Sequence, residues 1–339
     1  MKRPTIKDVA AHAGVSKATV SLVLRDSDQI PESTKARVRG SMAALGYVYN
    51  RRAAEMRGFS SRTLGLVVAN IRNPYFAELT QAVEDRAHAD RFTLLLGCSN
   101  DDVQRQRELL RTMAEQRVDG VVLLPANRTA PADLTATLDE VGMPHVLVAR
   151  AVPGYQSNYV SADNRAAGRL LGEHLRERGA RSVAFVGGVA DSVPRQDRIA
   201  GLLAGLTPRV DGLAVDIPSE RDADFEAPQI VDAVIGAVPG APDAVVGYND
   251  MYALGIMSAL RSRGLEPGRD VMVAGFDNVP EAETRYPGLT TVDGFPARAG
   301  VAATELLLDA LGGQEPSEPQ VVSLEPVLRV RGSTVADQT

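Results

Sequence analysis

Beyond residue 60, short apolar runs of β-type residues recur, and longer amphipathic stretches separate them. The runs are Leu64–Ala69, Phe92–Gly97, Gly120–Leu124, His145–Ala149, Ser182–Val186, Leu213–Ile217, Ala244–Gly247 and Val271–Gly275. A strand followed by a helix that crosses back over the sheet brings the next strand in parallel, so the pattern predicts βαβ units. About eight such strands are many for one sheet, and the segment Tyr159–Asp163 offers a crossing point. The expected fold class is therefore α/β, with two doubly wound parallel-sheet subdomains divided near residue 162. Sheets of this kind bind ligands beyond the carboxyl ends of their strands.

The first 49 residues follow a different period. Thr5 and Asp8 resemble a capping box ahead of a helix over 6–13, and Gly14 breaks that helix. Ser16 suits the cap of a second helix over 17–24. Pro31 stands near the start of a third, whose Val38, Met42 and Leu45 share a face before Gly46 ends it. Val9, Ala10, Val15, Val20, Val23 and Leu24 complete a miniature core. The spacing Ala10, Gly14-Val15-Ser16, Val20, Leu24 has helix-turn-helix geometry, which turns Lys17, Ala18, Ser21 and Leu22 outward toward a major groove.

Charge supports that division. The chain of 339 residues carries a formal charge of −6. Residues 1–58 hold a net +6 and the remainder −12, and all four lysines (Lys2, Lys7, Lys17, Lys35) precede residue 36. A basic module on an acidic body fits phosphate contact through one end only. The single cysteine, Cys98, excludes an internal disulfide framework, and the scattered His12, His88, His145 and His174 offer no zinc-ligand spacing. No metal and no cofactor are expected. The polar start Met1-Lys2-Arg3-Pro4-Thr5 does not read as a signal peptide, and no run is long enough to span a bilayer. The expectation is a cytoplasmic protein with no membrane partner. Dinucleotide, phosphate-loop, nucleophile-elbow and zinc-protease motifs are missing from the sequence, so the body reads as a binder and not as an enzyme. An α/β sugar-binding protein and a sugar-metabolising enzyme remain as alternatives.

The segment Thr5-Ile6-Lys7-Asp8-Val9-Ala10, Ala13-Gly14-Val15-Ser16, Thr19-Val20-Ser21, Val23-Leu24 closely resembles the lactose-repressor (LacI) family of transcriptional regulators. So do Leu45-Gly46-Tyr47, Asn50-Arg51, Ala53, Asn73-Pro74-Tyr75-Phe76, Asp163-Asn164, Gly168, Arg198-Ile199-Ala200-Gly201, Asn249-Asp250, Gly275-Phe276-Asp277 and Leu289-Thr290-Thr291-Val292. The resemblance implies a homodimeric repressor on a palindromic double-stranded DNA operator. Its body would be of periplasmic-binding-protein type, with a small-molecule effector, a sugar by expectation, in the inter-lobe cleft. It also implies a DNA-binding domain over 1–49, a hinge helix and linker over 50–61, and an effector-binding and dimerisation domain over 62–339. The chain would cross between lobes three times. Lobe 1 would be about 62–161 plus 293–322, and lobe 2 about 162–292 plus 323–339.

Residue by residue, the resemblance implies that Lys17 and Ala18 read bases, lysine by donating to guanine and alanine by touching a thymine methyl. Thr19, Ser21 and Asn50 would meet backbone phosphates, and Arg51 and Arg52 phosphates rather than bases. Thr5, Ser16, Leu22 and Ala53 complete the DNA-facing set. Leu22 stands where many relatives carry arginine, so the operator is expected to differ from the common one. Met56 replaces the leucine that wedges into the minor groove, and methionine is still an apolar wedge. For the effector, the implied contacts are Tyr75 and Phe76 from one lobe and Asp163, Arg198, Phe225, Asn249 and Asp277 from the other. Asp163, Asn249 and Asp277 each precede a helix and suit an N-cap equally well. Gly294 leaves a position bare where some relatives place a polar contact.

Overall fold

The computed structural model describes residues 4–24, 27–47, 60–208, 210, 212–219, 242–284, 286–313 and 318–335. Internal contacts divide the chain into one unit over 1–61 and another over 62–339. Asn50, Arg51, Ala53, Met56 and Phe225, together with the expected hinge helix, lie outside the described residues.

The first unit holds three helices, α1 (Ile6–Ala13), α2 (Lys17–Leu24) and α3 (Glu32–Leu45). Gly14 at φ 64° and Gly46 at φ 61° end α1 and α3 in the left-handed region that glycine enters without a Cβ penalty. At the start of α1 the Asp8 carboxylate accepts both the Thr5 backbone N–H and the Thr5 hydroxyl at 2.7 Å. Ser16 caps α2 as expected, its Oγ accepting the Thr19 N–H at 3.0 Å. Val9, Val20 and Val38 are fully buried, one from each helix, and Ala10, Ala13 and Val23 close around them.

The second unit holds two six-stranded sheets with the same winding. In lobe 1 the elements are β1 (Thr63–Val68), α4 (Pro74–Ala89), β2 (Thr93–Cys98), α5 (Val103–Glu115), β3 (Gly120–Leu123), β4 (His145–Val148) and β5 (Asn158–Ala162). Lobe 2 follows with α6 (Asn164–Glu177), β6 (Val183–Val189), α7 (Val193–Leu206), β7 (Val215–Ser219), β8 (Ala244–Gly247), α8 (Asp250–Arg261), β9 (Met272–Phe276) and β10 (Thr290–Asp293). The chain then returns with α9 (Pro296–Leu311), β11 (Val321–Leu324) and β12 (Val327–Arg329). The strand orders are β11-β5-β4-β3-β1-β2 and β12-β10-β9-β8-β6-β7. Every pairing is parallel except β12 against β10. Each sheet reverses its winding beside its first strand, and that switch point is where a crevice opens. The chain passes between the sheets after β5, after β10 and after β11.

The eight apolar runs fall on strands, with ends displaced by up to three residues. Twelve strands are present among the described residues, not eight. The four additional ones, β5, β10, β11 and β12, are not continuous apolar runs. β5 and β10 bury polar side chains that find partners. Ser161 donates to the Ala162 carbonyl at 2.9 Å, Thr290 to the Arg331 carbonyl at 2.9 Å, and Thr291 to Asp250 at 2.5 Å. β11 and β12 are sheet-edge strands with exposed residues such as Val321.

Helices α6 and α7 pack closely because each carries two glycines one turn apart. A Cβ on Gly168 would overlap the Arg198 carbonyl oxygen, and one on Gly201 would overlap the Arg165 carbonyl oxygen. Gly172 and Gly205 repeat the arrangement one turn on. This contact fixes the first turn of α6 beside Arg198 on α7.

Candidate functional site

The cleft between the lobes is built from residues immediately past strand carboxyl ends. From lobe 1 come Asn73, Tyr75 and Phe76 after β1, Leu124 after β3, and Ala149 and Arg150 after β4. From lobe 2 come Pro194 after β6, Tyr248 and Asn249 after β8, and Phe276 and Asp277 at the end of β9. Asn164 and Arg198 reach it from α6 and α7, and the cavity they enclose has a volume of about 60 Å3.

Arg198 is held from several sides. Its Nε donates to Asn164 Oδ1 at 2.8 Å and Nη1 to the Tyr248 carbonyl at 2.5 Å. Nη2 stands 3.7 Å from Asp277 Oδ1. The guanidinium lies over the Tyr248 ring at 5.0 Å and the Phe276 ring at 4.7 Å from their centroids. A planar cation fixed between two rings and a carboxylate is an oriented donor.

Asp277 occupies the left-handed region at φ 118°, where its backbone N–H still donates to the Val292 carbonyl at 2.9 Å. Such a conformation is costly for a residue with a Cβ and persists only where the surroundings determine it. It aims the carboxylate across the cleft, where Asn73 Nδ2 of lobe 1 donates to Asp277 Oδ2 at 3.4 Å. Asn73 also caps α4, its Oδ1 accepting the Tyr75 N–H at 3.0 Å. Tyr75 meets Phe76 edge to face at 5.3 Å. Burial, and then the Asp277 carboxylate, push the Tyr75 phenol above its ordinary range, so it stays a neutral donor and acceptor. Arg150 carries a second guanidinium to the lobe 1 wall, balanced by Asp101 at 2.7 Å with both side chains buried. Beneath the site, Asp250 is fully buried. Its carboxylate accepts the Thr291 hydroxyl at 2.5 Å and the Val279 N–H at 2.9 Å. Burial, reinforced by the nearby Asp277, raises its pKa well above the carboxylate range.

Of the effector residues named from the sequence, Tyr75, Phe76, Arg198, Asn249 and Asp277 line this cavity. Asn249 is at the same time the cap of α8, accepting the Tyr252 N–H at 3.2 Å. Asp163 does not line it: its carboxylate accepts the Ala166 N–H at 2.8 Å and caps α6, while its neighbour Asn164 takes the place in the wall. Gly294 does face the cavity, where a Cβ would stand 3.1 Å from that of Ala162. Asn73, Asn164, Arg150, Tyr248 and Phe276 are not among the contacts expected from the sequence. Each stands beside or within a recognised run, and position past a strand's carboxyl end is the signal that could have found them. On the headpiece, Lys17, Ala18 and Ser16 are exposed at the start of α2, Thr5 is exposed at the start of α1, and Thr19, Ser21 and Leu22 are half-buried.

The comparisons with known proteins agree with this architecture at both ends of the chain. Residues 5–50 match the family described as bacterial regulatory proteins, lacI family, and residues 64–315 match a periplasmic binding protein domain. The chain belongs to the LacI family. It is a transcriptional regulator with a helix-turn-helix headpiece and a periplasmic-binding-protein-type body. It is 31% identical over 332 residues to the transcriptional repressor PurR of Vibrio campbellii, covering 97% of this chain and 98% of that one. It is 33% identical over 341 residues to the transcriptional regulator CelR of Thermobifida fusca, covering 98% of each. Among solved structures, the lac repressor dimer bound to operator and the anti-inducer ONPF superposes with a TM-score of 0.84 at 25% identity, covering 99% of this chain and 100% of that one. A CelR–cellobiose complex superposes with a TM-score of 0.71 at 31% identity, covering 98% and 100%. Among the described residues, no helix is long and apolar enough to cross a membrane.

Proposed function

We propose that this LacI-family protein is a ligand-responsive repressor. It binds a palindromic operator as a homodimer, and a sugar or sugar derivative in the inter-lobe cleft sets its operator affinity. The observation that carries the ligand reading is the convergence of Asp277, Arg198 and Asn73 among Tyr75, Phe76, Tyr248 and Phe276. A carboxylate accepts paired hydroxyls, a guanidinium and an amide donate to ring and hydroxyl oxygens, and aromatic faces cover a ring's C–H face. The cellobiose complex of a relative and the operator-bound dimer of another are in keeping with it.

The mechanism is a shift of one closure equilibrium. Lobes joined by three crossings hinge there, and Asn73 with Asp277 marks the closed arrangement. A ligand that replaces this contact with its own hydroxyls changes the balance by its differential affinity for the two arrangements. Release from the operator identifies an inducer, and tighter binding a corepressor. On DNA, Lys17 and Ala18 read bases while Thr5, Ser16, Thr19 and Ser21 position the headpiece. A thermal-shift screen of sugars, cellobiose included, followed by operator titrations with each hit, tests the reading. At least one sugar should stabilise the protein and move the operator midpoint. A hit that stabilises without moving it refutes the coupling.

A further inference from the structure

A pocket of about 570 Å3 opens at the end of the lobe 1 sheet opposite the cleft. The cleft takes Leu124 and Ala149 from beyond the carboxyl ends of β3 and β4, whereas this pocket takes His145 and Asn158, the first residues of β4 and β5. The length of β4, about 13 Å at roughly 3.3 Å per residue, separates the two. The volume falls within the range of roughly 300–1,000 Å3 usual for small-molecule sites. Leu138, Met143, Pro144 and, from the last turn of α9, Ala310 give the pocket an apolar side.

Its polar side is arranged in advance. Asn158 is only 8% exposed, and its Oδ1 accepts the Gln320 backbone N–H at 2.8 Å. That bond fixes the orientation of the amide and leaves Nδ2 on the pocket wall with no partner among the described residues. A donor so placed gains a bond from any ligand that brings an acceptor. On the opposite wall the Tyr155 hydroxyl donates to Asp139 Oδ1 at 2.6 Å, and Asp139 Oδ2 has no partner among the described residues. Burial, and then this bond, push the Tyr155 phenol above its ordinary range, so the hydroxyl keeps its proton and goes on donating. His145 has both ring nitrogens engaged, Nδ1 with the Met143 carbonyl at 2.9 Å and Nε2 with the Tyr155 hydroxyl at 2.8 Å. It offers a ligand no donor, and neither lysine nor arginine is among the described lining residues. An anion would therefore face the Asp139 carboxylate with only amides to hold it, whereas an ammonium group would gain a charge-assisted bond. We infer that this pocket is a second ligand site, separate from the cleft, for a small organic ammonium compound with an apolar body. Its ammonium group meets Asp139 Oδ2, and an acceptor on the same molecule meets Asn158 Nδ2.

Methyl NMR of the full-length protein labelled at methionine tests this, because Met143 lines the pocket and its resonance is identified by its loss in Met143→Leu. The probes are leucinamide and phenylalaninamide, each an ammonium compound with a carbonyl acceptor and an apolar side chain. Their deaminated counterparts, 4-methylpentanamide and 3-phenylpropanamide, are the controls. The titrations are run at about pH 6.5, below the roughly 7.7–8.0 at which an α-amino group titrates. At least one ammonium probe should move the Met143 methyl signal to saturation, with an affinity ten or more times that of its counterpart. Asp139→Asn keeps an oxygen for the Tyr155 hydroxyl but loses the charge, and should bring that ratio close to one, with operator binding reporting that the variant is folded. The site is overturned by the absence of a saturable shift with either ammonium probe, by a ratio near one in the wild type, or by a ratio unchanged in the variant. Each of those results leaves the sugar reading of the cleft standing.

Discussion

Asn73 and Asp277 come from opposite lobes and meet across the cleft, amide nitrogen to carboxylate oxygen at 3.4 Å. The relationship suggests a substitution that separates local structure from closure. Asn73→Asp retains the oxygen that caps α4 but sets a second carboxylate against Asp277. Like charges at this range repel. The variant should keep its thermal stability within about 1 kcal/mol, open the cleft, and shift the sugar midpoint roughly tenfold or more. Small-angle scattering reads the opening. An unchanged radius of gyration together with an unchanged midpoint contradicts a role for this contact in closure.

The seam between α6 and α7 predicts a large stability effect at a glycine. A methyl on Gly201 would overlap the Arg165 carbonyl, and backbone on both sides leaves no flexible side chain to yield. Gly201→Ala should cost about 1–3 kcal/mol or more by overpacking. Gly212 has open space around its missing Cβ, so Gly212→Ala serves as the control and should be neutral to slightly stabilising. Urea unfolding checks this through the midpoint at constant slope. Equal midpoints for the two variants would rule out the close approach.

Asp250 carries a pH signature. Its folded pKa lies well above the unfolded value, because burial and then Asp277 disfavour the anion. Its contribution to stability is therefore complete below the unfolded carboxylate pKa and is lost as pH rises toward the raised folded value, by at most about 1.4 kcal/mol per pH unit. An asparagine at this position would mimic the protonated acid, one atom accepting from Val279 and the other donating to the Thr291 hydroxyl. Asp250→Asn should match the wild type near pH 4 and exceed it increasingly toward pH 7, as melting curves across that range will show. A variant that loses ground as pH rises would reverse the sign of this account.

On the headpiece, Lys17 projects exposed from the first turn of α2, at the position assigned to base reading. Lys17→Ala should cost about 1–3 kcal/mol on the preferred operator and relax preference at one position per half-site. Binding to a set of single-base operator variants reads this directly. A uniform loss on every variant would make Lys17 a phosphate contact instead.

Much of this architecture was legible in the sequence, for identifiable reasons. Fully buried parallel strands such as β3, β6 and β8 read as apolar runs because both faces are covered. The headpiece helices carried their own punctuation in Ser16, Gly14 and Gly46. β5 and β10 did not show, because Ser161, Thr290 and Thr291 place hydroxyls where a run would need apolar residues. In the cleft, Arg198 and Asp277 could be named, but the other groups that hold Arg198 could not. Its partners Asn164, Tyr248 and Phe276 lie far from it in sequence, brought close by sheet order and the glycine seam. Asp163 and Asn164 illustrate the limit. One residue separates a helix cap from a cavity wall, and only the local backbone decides which is which.

The account rests on ligand and operator being read by separate residues coupled through lobe closure, and Asp277→Asn tests this most directly. Asparagine tolerates the left-handed backbone at this position, so the fold should persist. It loses the charge that accepts hydroxyls, worth about 1.5–3 kcal/mol for a charge-assisted bond. The measurement is fluorescence anisotropy of a selected palindromic operator bound to wild type and variant, titrated with a sugar that moves the wild-type midpoint. Without sugar the two proteins should bind the operator alike, and the variant should need roughly ten to a hundred times more sugar for the same response. A variant that responds at the wild-type sugar concentration would place the effector outside this cleft.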